Sequence, residues 1–457
     1  MTIAAISTAV GEAGIGIVRM SGPRSLEIAN KVFRAKNGKV LDEDKNRKMV
    51  YGHIVDSEGG LVDEVLIAYM KGPYTYTRED IVEVYCHGGI ISVRKVLDLI
   101  LGSGARLAEA GEFTKRAFLN GRLDLSQAEA VMDLINAKTE KSYDASLDQL
   151  EGSLSKKVRE LREEILNILA RVEASIDYPG EDSVEDVAYQ EIIERGGRIR
   201  SEIDKLIKSS QRGTILRDGL RTVILGKPNV GKSSLLNAIL RENRAIVTDV
   251  PGTTRDVIEE FISIDGIPLK IVDTAGIRET EDLVEKIGVD KARAMVNSAD
   301  LVIAVFDSSQ SLNEEDREIV QLIKDKKAIV IVNKVDLDRR FEEDYLLAEL
   351  GDKLIIESSM VKELGLEELE EAIKEMFYSG NLELDSDIVV TNIRHRTQLE
   401  KARANIDEVI QAAEMNIPID CVEVDLKSCW ENLGEISGDT IGEDILDKIF
   451  SEFCLGK

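Results

Sequence analysis

The sequence predicts a multidomain fold that combines α/β domains with a helical domain. Its length of 457 residues corresponds to about three domains. The first 120 residues alternate β-rich runs with short helical segments, and two helical blocks then flank one region of alternating strands and helices. We predict an α+β domain over 1–120, a helical domain over 121–216 and 381–457, and an α/β domain over 217–380 inserted into the helical one.

The N-terminal region has the pattern of a small mixed domain. Helices are predicted near residues 23–33 and after Gly89. The β-rich runs, all between residues 15 and 85, are IGIVR, KMVYGHIV, LVDEVLIAYM and IVEVY.

The helical region is predicted from apolar residues three and four positions apart, which we interpret as a helix-packing face. One long amphipathic helix is predicted from Leu147, Leu150, Leu154, Val158, Leu161, Ile165, Ile168 and Val172. Pro179 and Gly180 interrupt the pattern, and helical character resumes to about Ser209. After the inserted domain, helical patterns return between Arg396 and Phe450.

Charge and cysteine content exclude several classes of protein. The chain has 59 Lys and Arg residues against 86 Asp and Glu, a net charge of −27, so an RNA contact needs a local basic face or a second protein. Its four cysteines are too scattered for a disulfide framework or a zinc site, and no apolar run approaches a membrane span. We therefore expect a cytoplasmic protein with no membrane association.

Residues 226–233 fit the phosphate-binding P-loop pattern, between the strand TVIL and the predicted helix SSLLNAIL. Glycines there let backbone N–H groups surround phosphate oxygens. Lys232 can reach the terminal phosphates, and the Ser233 hydroxyl can ligate Mg²⁺. The predicted nucleotide contacts in this loop are Asn229, Val230, Gly231, Lys232, Ser233 and Ser234.

Two downstream segments predict that the nucleotide is GTP, hydrolysed to GDP and phosphate. Residues 271–276 end a hydrophobic strand with a carboxylate that can support the Mg²⁺ shell. Residues 333–336 follow a buried strand. The carboxylate of Asp336 can accept hydrogen bonds from the N1–H and the exocyclic amine of guanine, a donor pair that adenine lacks. Ser358 and Ser359 follow the strand-like run LIIE and are predicted to form the last base-contacting loop. The predicted contacts are Asp273, Thr274, Ala275, Gly276, Asn333, Lys334, Asp336, Ser358 and Ser359.

The segment 249–256 is predicted to sense the γ-phosphate, because a threonine there can complete Mg²⁺ coordination. From the residues alone, Thr253 and Thr254 are both open for that role. The predicted contacts are Thr248, Asp249, Val250, Pro251, Gly252, Thr253 and Thr254. Ile277 stands where Ras-like GTPases place a water-orienting glutamine, so another group must orient the water. The acidic residues that follow, Glu279, Glu281, Asp282 and Glu285, have the composition of a solvated loop.

Further motifs extend over essentially the whole chain. They are PNVGKSSLLNAI, GTTRD and DTAGIRET in the α/β region, GIGIVRMSGP, YTREDIVEVYCHGG and GEFTKRAFLNGRLDLSQAEAV before it, and the tail FCLGK. The α/β region resembles the G domain of translation-factor-related GTPases, and the whole chain resembles the tRNA-modification GTPase family MnmE, also called TrmE. The resemblance implies an N-terminal α+β folate-binding-like domain, a central helical domain and an inserted P-loop Ras-like G domain.

The resemblance also implies that the N-terminal domain forms a homodimer and binds a tetrahydrofolate derivative, 5,10-methylene or 5-formyl. The matching residues are Arg19, Glu83, Arg122 and Lys457. This is chemically reasonable, because a carboxylate can accept from the amide and amino edge of a pterin and cations can bind the glutamate tail.

For the G domain, the resemblance implies K⁺-dependent dimerisation, with the cation bound where other GTPases use an arginine finger. The implied K⁺ ligands are Asn229, Thr248, Val250 and Thr253, and Thr254 joins Ser233 on Mg²⁺. Glu285 matches the catalytic glutamate of the family, which is thought to orient the attacking water.

The implied function is modification of the wobble uridine of certain tRNAs at C5, by addition of a carboxymethylaminomethyl or aminomethyl group. It requires a partner, MnmG, that carries FAD and is expected to hold most of the tRNA, although Lys115, Arg116 and Arg122 form a modest basic cluster. Cys454 matches the tail cysteine of the family, which suggests a role near the folate. The alternatives are a ribosome-assembly GTPase acting as a binding switch and a stand-alone folate-dependent aminomethyltransferase; the latter leaves the G domain unexplained.

Overall fold

The computed structural model describes residues 1–177, 182–242, 260–272, 289–341, 343–378 and 388–456. The chain divides into two compact units. The N-terminal unit comprises Met1–Met132, Ser155–Glu163 and Trp430–Lys457, and the central unit comprises Asp133–Leu154 and Glu164–Cys429. None of the described helices combines the length and the apolar character needed to cross a membrane.

The described elements are numbered in chain order. The strands are β1 (Ile3–Ile6), β2 (Gly16–Ser21), β3 (Phe33–Ala35), β4 (Met49–Val55), β5 (Leu61–Met70), β6 (Ile81–Cys86), β7 (Arg106–Leu107), β8 (Leu220–Leu225), β9 (Glu260–Ile264), β10 (Ile267–Ile271), β11 (Leu301–Asp307), β12 (Ala328–Asn333) and β13 (Leu354–Glu357). The helices are α1 (Ser25–Val32), α2 (Ile90–Gly102), α3 (Glu112–Leu119), α4 (Leu125–Asn136), α5 (Glu140–Glu151), α6 (Ser153–Asp177), α7 (Asp182–Asp218), α8 (Lys232–Glu242), α9 (Val289–Ser298), α10 (Glu314–Ile323), α11 (Glu343–Leu350), α12 (Leu366–Tyr378), α13 (Ile393–Glu414), α14 (Ile419–Ser437) and α15 (Glu443–Ser451).

The sheet of the N-terminal unit has seven strands in the order β3-β4-β5-β6-β2-β1-β7. Neighbouring strands are antiparallel except for β1 and β7. Alternate residues such as Val18, Met20 and Val84 are buried in a core with the apolar faces of α1 and α2. The residues between them, including Arg19 and Glu83, therefore belong to the opposite face of the sheet.

A small apolar cluster joins the start of α4 to α15 and the C-terminal tail in the same unit. It contains Leu125, Leu446, Phe450 and Phe453, and Phe118 packs against it. The rings of Phe450 and Phe453 lie 5.2 Å apart between centroids. This packing anchors the end of the chain to the N-terminal unit.

The sheet of the central unit has six strands in the order β13-β12-β11-β8-β10-β9. All of its pairs are parallel except the β9–β10 hairpin. Its inner strands are apolar on both faces, and each face packs into a separate core with helices of the unit. The predicted α/β domain is confirmed, and its geometry brings the carboxyl ends of the parallel strands to one edge.

The long helices of the central unit differ in two respects from the expected pattern. The single helix predicted over residues 147–172 is wrong, because Gly152 adopts φ 92° and ends α5 before α6 begins. The helix that follows continues past Ser209 to Asp218. It packs on α13, where Gly196 allows a close approach to Ile410. The three predicted domain boundaries stay predictions.

Candidate nucleotide site and candidate folate site

The phosphate loop lies between the end of β8 and the start of α8, as predicted. Two of its positions require glycine, because their φ is positive and because a side chain would collide with neighbouring atoms. A Cβ atom at Gly226 would lie 2.5 Å from the carbonyl oxygen of Val305, and one at Gly231 would lie 2.1 Å from Nδ2 of Asn333. Asn229 also has a left-handed backbone, with φ 63°, a conformation that asparagine tolerates better than most residues. The loop is therefore folded tightly against the strand ends beside it.

Lys232 folds over this loop. Its ammonium donates hydrogen bonds to the carbonyl oxygens of Gly226, at 2.8 Å, and Lys227, at 2.7 Å. Burial lowers the pKa of Lys232 below its ordinary value. The two carbonyl partners of this half-buried cation are neutral. A phosphate bound in the loop would supply the negative charge that they do not. The arrangement fits a nucleotide polyphosphate.

Asn333 connects the base-recognition segment to the phosphate loop. Its Nδ2 donates to the carbonyl oxygen of Val230 at 2.8 Å, and its Oδ1 accepts from the Ser358 hydroxyl at 3.2 Å. Asn333 and Ser358 are both buried. The asparagine therefore braces two loops, a role that the motif alone did not indicate.

Asp336 is presented as an acceptor. The Ser359 hydroxyl donates to its Oδ1 at 2.6 Å, and this bond lowers the pKa of Asp336 below its ordinary value. The side chain is thus a carboxylate at neutral pH, with acceptor capacity for two adjacent donors. This is the chemistry that recognition of the guanine N1–H and amino group requires.

Lys334 is held by a residue that the sequence analysis missed. Its ammonium donates to the carbonyl oxygen of Asn229 and to Oδ2 of Asp307, each at 2.6 Å. Burial acts to raise the pKa of Asp307, but hydrogen bonds from Lys334 and Ser309 outweigh it and hold that pKa below its ordinary value. The sequence did contain a signal for this contact. Asp307 ends the buried strand β11, which lies beside β12, the strand that leads into residues 333–336.

The remaining predicted nucleotide-site residues lie outside the described residues. They are Thr248, Asp249, Val250, Pro251, Gly252, Thr253, Thr254, Asp273, Thr274, Ala275, Gly276 and Glu285. Described strand β10 ends at Ile271, next to the start of the DTAG segment. The structure thus brings together Asn229, Lys232, Asn333, Lys334 and the Ser358–Ser359 pair at one sheet edge.

In the N-terminal unit, Arg19 and Glu83 form an ion pair across the open face of the sheet. They are register partners on β2 and β6, and Arg19 Nε donates to Glu83 Oε1 at 2.8 Å. The Tyr85 hydroxyl donates to the other carboxylate oxygen at 2.6 Å. Burial and the bond to Glu83 raise the pKa of Tyr85 to about 12, so the phenol stays protonated and continues to donate.

Tyr76 brings Arg122 to the same region. The Arg122 guanidinium lies 4.7 Å from the centroid of the Tyr76 ring, and that of Arg19 lies 5.9 Å from it. A carboxylate, two guanidinium groups and an aromatic ring match the amide edge, acidic tail and aryl ring of a folate, so these residues fit the group. Lys457 lies outside the described residues.

Comparison with known proteins decides the family. The family model described as GTP-binding protein TrmE N-terminus matches residues 2–122, and the MnmE helical domain matches residues 125–454. The chain is 56 % identical over 457 residues to the tRNA modification GTPase MnmE of Alkaliphilus oremlandii, covering 100 % of this chain and 99 % of that protein. The chain belongs to the MnmE family. The MnmE of Bacillus subtilis is 50 % identical, with 100 % of both chains covered.

Solved G domains are also similar to part of this MnmE-family chain. The FeoB iron transporter G domain of T. maritima is 28 % identical over 34 % of this chain and 97 % of its own, with a TM-score of 0.25. Era of Aquifex aeolicus bound to GDP and AlF4⁻ is 26 % identical over 40 % of this chain and 66 % of its own, with a TM-score of 0.27. The family models and full-length relatives carry the assignment without them.

The described part of the C-terminal tail is held at two points. The Gly111 N–H donates to the Cys454 carbonyl oxygen at 3.4 Å, and the Ser7 hydroxyl donates to that of Gly456 at 3.2 Å. Phe453 is buried and Cys454 is exposed. The thiol is therefore accessible from solvent. The tail contacts Ser7, which follows β1, and β1 is the strand beside the one that carries Arg19.

The basic cluster predicted from Lys115, Arg116 and Arg122 is wrong as a free cationic face. Lys115 pairs with Asp447, and Arg116 pairs with Glu79 at 2.8 Å and Glu112 at 2.9 Å. Glu112 is four positions before Arg116 in α3, but Asp447 and Glu79 come from other parts of the unit's sequence, so their neutralising effect was not visible in the local pattern. Of the three residues, Arg122 alone has no acidic partner within the described part of the chain.

Proposed function

We propose that this chain is a GTPase that acts in tRNA modification. The observation that carries the proposal is found at one edge of the central sheet. There Asn333 braces the phosphate loop, and Asp336 is an ionised acceptor for guanine. The relatives named tRNA modification GTPases match along the whole chain, which favours this function over the ribosome-assembly alternative. It also accounts for a complete G domain, which a stand-alone aminomethyltransferase does not need.

In the proposed hydrolysis, Lys232 neutralises the terminal phosphates, and Ser233 and Thr254 ligate Mg²⁺. Asn229, with Thr248, Val250 and Thr253, binds a K⁺ ion beside the phosphates. Its left-handed backbone is held by Lys334 through the carbonyl oxygen, and within the described residues no hydrogen bond engages its side-chain amide. That leaves the amide oxygen available for a cation. Glu285 orients the water.

The N-terminal unit is proposed to bind the tetrahydrofolate derivative through Arg19, Glu83, Arg122 and Lys457. When bound by these residues, within a homodimer and together with MnmG and its FAD, the folate would supply the one-carbon unit for C5 of the wobble uridine. GTP hydrolysis drives opening and closing of paired G domains. The exposed thiol of Cys454 is placed on the same unit, and we propose that it acts near the folate.

The test is GTP hydrolysis by the full chain in K⁺ and in Na⁺ buffers. We expect K⁺ to stimulate turnover by about a hundredfold, because it stabilises developing phosphate charge as an oriented donor does. Asn229→Ala should remove the difference between the cations. Equal turnover of the unsubstituted chain in both buffers would refute the K⁺ assignment.

Glu285→Ala should retain GTP binding and lose hydrolysis, because it removes the group that orients the water without touching the phosphate loop. Glu279→Ala, a carboxylate removed from the same segment, is the matched control and should hydrolyse GTP normally. Retained turnover in Glu285→Ala would contradict the catalytic assignment.

A further inference from the structure

A cationic groove of about 630 Å³ lies on the N-terminal unit and includes more than the predicted folate residues. We define it by Arg47, Arg78, Arg122, Tyr74 and Tyr76, which line it. None of the described residues that line this groove is acidic. In a chain with a net charge of −27, such a local concentration of positive charge calls for an anionic ligand.

The three groove arginines are held by backbone oxygens. Arg47 donates to the carbonyl oxygen of Tyr74 at 2.6 Å, Arg78 to that of Asn120 at 2.8 Å, and Arg122 to that of Tyr76 at 3.3 Å. Across the described parts of the chain, none of the three pairs with a carboxylate. Each guanidinium is exposed, has one backbone acceptor and carries an uncompensated charge, so it keeps donors available for an anion.

Two of these arginines are also in an unfavourable backbone conformation. Arg47 and Arg78 both have φ 59°, in the left-handed region that long side chains seldom adopt. Glycine would relieve the strain at either position. Strain of this kind concentrates where a side chain is needed at a ligand site, and here it occurs twice within one groove.

We infer that this groove binds the poly-γ-glutamate tail of the folate, an inference that rests on the proposed folate function. The groove is continuous with the folate candidates, because Arg122 and Tyr76 line it and Tyr76 also contacts Arg19. Each γ-linked glutamate adds one carboxylate, and each guanidinium can bind one carboxylate with paired hydrogen bonds. Arg47 and Arg78 thus extend the predicted site by two carboxylate positions.

A long RNA fits these observations less well. An extended polyanion would also lie against the acidic surface outside the groove and be repelled by it. A short flexible tail meets only the positive charge of the groove. The RNA alternative therefore becomes an outcome of the test.

The experiment compares 5-formyltetrahydrofolate carrying one glutamate with the same compound carrying five, by calorimetry on the full chain. We expect the pentaglutamate to bind at least about tenfold more tightly than the monoglutamate. Arg47→Gly and Arg78→Gly should each remove most of that preference and leave monoglutamate affinity unchanged. Glycine suits the positive φ, so both variants should fold. The control, Arg94→Ala, removes an equal charge from the exposed side of α2 and should retain the preference.

Other outcomes overturn the inference in distinguishable ways. If the unsubstituted chain binds both compounds equally, the tail site is refuted and the folate proposal stands. If it binds neither, both proposals fail. If the glycine variants weaken binding of an anticodon stem–loop RNA but not of the pentaglutamate, the groove belongs to RNA.

Discussion

The two sheets of this protein place chemistry in different positions. The parallel sheet of the central unit is covered on both faces, and its functional side chains follow the carboxyl ends of β8, β11, β12 and β13. The antiparallel sheet of the N-terminal unit is covered by α1 and α2 on one face, and its candidate residues Arg19 and Glu83 lie within strands on the other.

This difference determines what can be detected in a sequence. A residue at a strand end belongs to a loop, so neighbours in the chain act together and form a contiguous motif. A residue within a strand acts with its register partner, which is distant in sequence; Arg19 and Glu83 are 64 positions apart. Variants in each sheet can test whether the two arrangements are separate in function.

The largest effect is expected from Asp336→Asn. An amide cannot accept from both guanine donors, so GTP affinity should fall by at least about a thousandfold, as expected for a site built around a hydrogen bond. Xanthosine triphosphate, which has a carbonyl in place of the guanine amino group, should bind better to the variant than GTP does. Competition against a fluorescent nucleotide measures both affinities.

Asp338→Asn is the matched control for this variant, because Asp338 is exposed two positions further along the same loop. It should keep normal preference for GTP. Unchanged base preference in Asp336→Asn would remove the guanine assignment from this sheet edge.

A smaller effect is expected from Glu83→Gln on the open face of the N-terminal sheet. The amide should still contact Arg19 but loses the charge and one acceptor, so affinity for 5-formyltetrahydrofolate should fall by about tenfold to a hundredfold. GTP affinity should not change if the two sheets act separately. Calorimetry with each ligand measures both quantities.

Glu64→Gln removes an equal charge from β5 and provides the control for Glu83→Gln. Glu64 is exposed and accepts from Tyr51, outside the contacts of Glu83. Equal losses of folate affinity in the two variants would show that charge alone, and not the position of Glu83, is being measured.

The smallest effect concerns His87, which follows the end of β6. Its pairing with Asp63 tests whether the charge of a strand-end residue in the antiparallel sheet depends on a partner from another strand. Its Nδ1 lies 2.6 Å from Asp63 Oδ1, and this hydrogen bond raises the pKa of His87 above its ordinary value. The pair therefore stabilises the fold fully below the unfolded pKa of about 6.5, and its contribution is lost as pH rises through the raised pKa.

Proton NMR of the three histidines, His53, His87 and His395, measures the His87 midpoint directly. Asp63→Asn should lower that midpoint, because it removes the negative charge that favours the imidazolium. Asp98→Asn, on the exposed side of α2, should leave it in place. An unchanged midpoint in Asp63→Asn would show that the pair does not bias the charge of His87.

Contiguous patterns explain why much of the fold and the nucleotide edge could be predicted. The P-loop, residues 333–336 and the serine pair lie at strand ends as expected, and the mixed fold is confirmed. The break at Gly152 was missed because apolar spacing continues through it, although glycine is a common helix terminator.

Long-range partners explain what could not be predicted. Asp307 acts on Lys334 through a neighbouring strand, and acids from elsewhere in the unit neutralise Lys115 and Arg116. Arg47 and Arg78 have no motif in common and are brought to one groove by the fold. Arg19 and Glu83 were predicted only through family resemblance, because their pairing depends on strand register.

The bond from Asn333 to the phosphate loop has a consequence for how the two nucleotides are told apart. The base-binding and phosphate-binding ends of the site are already connected through one buried side chain, so ordering them against each other costs less free energy when GTP binds. GTP and GDP share everything that this side chain organises. The brace therefore cannot distinguish the two nucleotides, and a GTP-specific response has to originate at the γ-phosphate.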